Sequence, residues 1–90
     1  MMIDIEHEPE RAQLESRGVF DWPVWEKEVS CFDWTYDVTE SCYILAGEVT
    51  VTPAGGEPVR IVAGDFVTFP AGLSCVWDIT LPIRKHYQFG

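Results

Sequence analysis

Basic residues are scarce in this chain. Six lysines and arginines stand against fifteen aspartates and glutamates, giving a net charge of −9. Nucleic acid and anionic membranes both require a basic face, so neither is an expected partner. Cysteine is equally sparse: Cys31, Cys42 and Cys75 make an odd set without CxxC spacing. That is a poor disulfide framework and a poor structural zinc site, and reduced thiols in a cytoplasmic protein are the expectation. No apolar run approaches the roughly 20 residues that span a bilayer. The opening MMIDIEHEPE is acidic and lacks an apolar signal core, which also points to the cytoplasm.

Apolar and aromatic residues are plentiful. A content of 47% hydrophobic and 13% aromatic residues suits one small globular domain over residues 1–90 rather than a disordered chain. The acids crowd into the N-terminal third and read as a solvated face. Arg84-Lys85-His86 is locally basic, and Arg84 and Lys85 read as surface charges.

Residues 1–28 read as an arm with a short helix. Ile3 and Ile5 alternate in a short edge strand. Pro9 to Arg17 forms the helix, with Pro9 in its first turn and Gly18 as its left-handed stop. VFDWPVW follows as an extended segment over one end of the core, because Pro23 argues against a central strand. Residues 29–90 read as strand and turn. Alternation places Phe32, Trp34 and Tyr36 on one face, and Glu40, Cys42 and Ile44 on one face of the next strand. Shorter strands follow at 48–52, 59–62 and 66–69, separated by Ala54-Gly55-Gly56, Ala63-Gly64-Asp65 and Pro70-Ala71-Gly72. Leu73, Cys75, Trp77 and Ile79 share a face. Pro82 breaks the chain, and a last strand sets Lys85, Tyr87 and Phe89 opposite His86 and Gln88. The fold class is all-β, an antiparallel jelly-roll barrel.

Two spaced motifs resemble the cupin family. Glu40, six residues, then Gly47 matches the second half of the first cupin motif. Gly64, five residues, Pro70, one residue, Gly72, two residues, then Cys75 matches the second. With ESCYILAGEV, GDFVTFPAGLSCVWD and the closing RKHYQF, the chain resembles the small single-domain cupins of the (S)-ureidoglycine aminohydrolase-like group. The resemblance implies a barrel that binds a small polar molecule bearing amide, ureido or carboxylate groups. In metal-binding cupins, His-x-His precedes the motif's glutamate, and a histidine ends the second motif. Here those positions are Trp34, Tyr36 and Cys75, so Glu40 alone is retained. Neither a tightly bound metal nor any other cofactor is therefore expected. Any divalent metal would have only Glu40, Cys75 and His86.

Glu40 reads either as a structural hydrogen-bond acceptor or as a general acid–base in a metal-independent hydrolase or lyase. Tyr36, Cys75 and His86 are its candidate catalytic partners, His86 as the second half of an acid–base pair. Trp34, Cys42 and Trp77 are candidate ligand-binding residues, with plain core packing the competing reading for all three and for Cys75. The alternative is a receptor or sensor whose aromatic cavity binds without transforming its ligand. An open sheet edge and a small core favour a homodimer.

Overall fold

The computed structural model describes residues 2–90. Among the described residues, seven strands form one antiparallel sheet, in the order β1-β6-β4-β7-β2, with β3 also pairing β7 and β5 also pairing β4. The strands are β1 Asp4–His7, β2 Val24–Lys27, β3 Ser30–Thr35, β4 Glu40–Pro53, β5 Val59–Val62, β6 Asp65–Phe69 and β7 Ser74–Phe89. One short helix, α1 Arg11–Ser16, and a 3₁₀ turn at Val19–Asp21 connect β1 to β2. Leu14 alone is buried in α1. It packs with Val19 and Phe66 in a satellite cluster outside the main core. The N-terminal arm is therefore part of the sheet, since β1 extends β6 and β2 extends β7.

Two strands are longer than expected. The expected strands 40–46 and 48–52 are one element, β4, and those at 73–79 and 85–89 are one element, β7. The join has a local cause. Pairing between β4 and β7 shifts register between Ile44 and Val49, around Gly47. Gly47 has φ +101°, and a Cβ there would stand 2.1 Å from the Pro82 carbonyl oxygen. Only glycine lets the two backbones pass so closely. Pro82, for its part, falls where the other neighbour of β7 changes. Partner β3 ends at Ser30↔Ile79 and partner β2 begins at Lys27↔Ile83. The missing proline N–H thus costs no ladder bond from that side. Both expected breakers bend the sheet without interrupting it.

Alternation holds along β7 except at Leu81, which is exposed. Cys75, Trp77, Ile79, Ile83 and Lys85 are buried, while Ser74, Val76, Asp78 and Thr80 are exposed. Cys75, Trp77, Ile79 and Ile83 join Val49, Val51, Ile61, Val67 and Phe69 in the main core. At the β5–β6 turn, buried Asp65 accepts a hydrogen bond from the Val62 amide at 3.0 Å. Its other oxygen meets His7 Nδ1 at 2.8 Å and ties β1 to this turn.

Candidate functional site

Strands β2, β3 and β7, with the start of β4, curl around a cavity of about 200 Å³. Seven aromatic side chains line it: Trp25, Phe32, Trp34, Tyr36, Trp77, Tyr87 and Phe89. Two further residues complete the wall, Glu40 and Lys85. Register explains the convergence. Trp77 pairs with Phe32 across β3–β7, and Lys85 pairs with Trp25 across β2–β7. Cross-strand partners project to the same face.

Lys85 is the chief correction to the sequence reading. It is a buried cation rather than a surface charge. Its Nζ donates to Glu40 Oε2 at 2.7 Å, with the two side chains 6% and 3% exposed. The ammonium also lies 4.9 Å from the Trp25 ring centroid and 4.6 Å from that of Trp77. The carboxylate and two indole faces thus enclose one positive charge. Buried ions persist only when paired in this way. Arg84, the neighbouring residue, does sit at the surface, in an exposed pair with Glu26 at 3.3 Å.

The other expected site residues divide. Tyr36, Trp34 and Trp77 line the cavity together with Glu40. Tyr36 is buried and stacks on Phe69 at 4.9 Å. Burial first, and then the adjacent Glu40 carboxylate, raise its phenol pKa far above the ordinary range. Tyr36 is accordingly a neutral hydroxyl. Cys42 faces the core rather than the cavity, and its thiol is pushed up to about 12, chiefly by burial. Cys75 is also buried and points its thiol at the Trp34 carbonyl, at 3.7 Å. Burial raises its pKa as well. Trp77 Nε1 itself completes no hydrogen bond among the described residues. A protonated thiol is a poor nucleophile and a poor metal ligand.

His86 does not share the cavity. It belongs to the opposite face of β7, where Nδ1 meets the Trp22 carbonyl at 2.9 Å and the ring stands edge-on to Phe20. The alternation that turns Lys85 inward turns His86 outward, so the expected Glu40–His86 pair is replaced by Glu40–Lys85. Trp25, Tyr87, Phe89 and Lys85 line the cavity without being expected there, whereas Phe32 joins it through the face it shares with Trp34 and Tyr36. The alternation of Lys85, Tyr87 and Phe89 was the available signal.

The cage of a metal-binding cupin does not fit these side chains. Glu40 is already neutralised by an ammonium that would repel a second cation. The Cys75 thiol holds its proton, and His86 is on the far face. Among the described residues, no three His, Cys, Asp or Glu side chains gather closely enough to hold a metal ion. No helix among them is long and apolar enough to cross a membrane.

A jelly-roll with its site inside the cup is the architecture of a cupin. The chain belongs to the family of EutQ-like cupin domains, which it matches over residues 14–87. It is similar over its whole length to a DUF861 family protein from Thermotoga maritima, at 49% identity and a TM-score of 0.95, covering 99% of this chain and 100% of that one. It is similar in part to a putative ethanolamine utilization protein Q (EutQ) from Salmonella typhimurium, at 27% identity and a TM-score of 0.66, covering 73% of this chain and 53% of that one. EutQ from Clostridium difficile, 23% identical with a TM-score of 0.66, shares the fold over 73% of this chain and 52% of its own. The chain thus spans about half the length of the EutQ proteins. No curated protein matches it.

Proposed function

We propose that the cup binds a small, planar, uncharged amide or ureido compound on the Glu40–Lys85 pair. The observation that carries this reading is the pair itself, a donor and an acceptor 2.7 Å apart at the wall of an aromatic cavity. An amide edge offers the complement: its carbonyl oxygen accepts from Lys85, and its N–H donates to Glu40. The pair has no net charge, which favours a neutral ligand, whereas a carboxylate would meet the charge on Glu40. Phe32, Trp34 and Trp77 supply flat apolar walls for a planar group. The cavity is smaller than the roughly 300–1,000 Å³ of drug-sized sites, so the ligand is small.

Catalysis, in this reading, is metal-independent hydrolysis or elimination. Glu40 takes a proton from the ligand or from water, and Lys85 and the neutral Tyr36 hydroxyl donate to oxygen as negative charge develops there. The resemblance to ureidoglycine aminohydrolase-like cupins supports the ureido class. The ion pair is complete without a ligand, which equally serves a receptor that leaves its ligand unchanged.

A thermal-shift series with acetamide, methylurea, hydantoin and acetate tests the ligand class. Saturation at 100 times Kd stabilises the fold by about 2.7 kcal/mol. Amides that raise Tm above the acetate control support the reading, and a flat series sinks it. NMR of the bound compound, with wild type and Glu40→Gln, then separates enzyme from receptor. Turnover lost on substitution identifies the enzyme, and stable binding without turnover identifies the receptor.

A further inference from the structure

Lys85 carries chemistry beyond hydrogen bonding. It is 5% exposed, and it is one of the residues that line the cavity. Its immediate neighbours are two indole faces and one carboxylate, and the carboxylate is within proton-transfer distance at 2.7 Å. A desolvated lysine is a candidate amine nucleophile, and the carboxylate that holds the resting ammonium is also placed to take its proton when a carbonyl carbon arrives. We infer that Lys85 captures small neutral aldehydes as a protonated imine. The inference rests on the cup being a small-molecule site.

The step balances within the residues present. The Lys85 ammonium gives one proton to Glu40, and the freed amine attacks the aldehyde carbon as the carbonyl π bond opens. The oxygen takes the proton from Glu40, giving a carbinolamine. The amine's second proton then passes through Glu40 to the hydroxyl, water leaves, and the nitrogen lone pair closes the C=N bond. Aldehyde and ammonium have become iminium and water, with no oxidant or reductant consumed. The product keeps its single positive charge. Trp25, Trp77 and Glu40 therefore hold the iminium by the same contacts that hold the ammonium. A 2-oxo acid is a poorer candidate, because its carboxylate would be brought against Glu40.

The chain has two lysines, Lys27 and Lys85, and Lys27 is exposed. Native protein is incubated with propanal and cyanoborohydride, and the reduced adduct is located by peptide mass spectrometry. Lys85 is expected to label at least ~100-fold faster than Lys27, the low end of what positioned proton transfer contributes. Glu40→Gln, checked by circular dichroism for native structure, is expected to lose most of that advantage. Label on Lys27 before Lys85, or on Lys85 only after denaturation, overturns the inference, as does unchanged labelling in Glu40→Gln. Melting shifts with amides and no Lys85 adduct would remove the covalent step while keeping the binding site. Neither shift nor adduct would remove both.

Discussion

Substituting Lys85 with methionine is the most direct test of the buried pair. Methionine keeps a long unbranched stem that packs between Trp25 and Trp77, so the change removes charge more than volume. At the observed 2.7 Å the gross attraction is roughly 6 kcal/mol at an effective dielectric of about 20. Desolvation of two ions offsets much of it, so the pair's net contribution is far smaller. The single substitution is nevertheless costly, because it leaves Glu40 buried and uncompensated. A loss of about 3–5 kcal/mol is expected for Lys85→Met. Glu40→Leu should cost a similar amount by stranding the ammonium. The double variant, with both charges gone, should recover most of the loss and return to within ~1–2 kcal/mol of wild type. Urea denaturation of all four proteins reads these values directly. In a domain of this size each kcal/mol moves Tm by about 4–8 °C, so calorimetry gives an independent check. Strictly additive single effects, or a Lys85→Met protein as stable as wild type, would refute a buried, coupled pair.

Four further outcomes follow from other parts of the chain. Gly47→Ala forces a Cβ against the Pro82 carbonyl at 2.1 Å and at φ +101°, so a loss of at least ~3 kcal/mol by denaturant unfolding is expected. Asp65→Ala strips the Val62 amide and His7 of their acceptor and should cost about 2 kcal/mol, with amide exchange rising first in β1. Cys31 is exposed whereas Cys42 and Cys75 are buried, so one thiol of the three should react rapidly with a disulfide reagent in the native state. The folded protein keeps the Cys42 proton up to about pH 12 while the unfolded chain releases it near 9.0; stability therefore falls as pH rises through that window, and Cys42→Ala should flatten part of the slope.

The fold was largely legible because its signals are local. Period-two alternation set the inward faces of β3, β4 and β7, and the glycine and proline turns between 54 and 72 fall between strands as expected. Pro23 was correctly read against a central strand, since β2 lies at the end of the sheet order. The continuity of β4 and β7 was not legible. Gly47 and Pro82 each signal a break alone, and only their contact in space shows that they form one shared bend.

The site was legible on one side only. Trp34, Tyr36, Glu40 and Trp77 follow from alternation and the cupin motifs, and all four line the cup. Lys85 was missed for a physical reason. A lysine between an arginine and a histidine looks solvated, and burying it is unfavourable until a carboxylate 45 residues away is known to meet it. The same alternation that grouped it with Tyr87 and Phe89 required it to face inward, so pattern and charge gave opposite answers, and the Glu40 partner decided between them. That outcome changes what the departure from the cupin motifs means. Loss of the histidines did not leave Glu40 alone in an aromatic pocket. It left a carboxylate whose counterion is covalently part of the chain, so the positive charge in this cup does not depend on a metal being supplied.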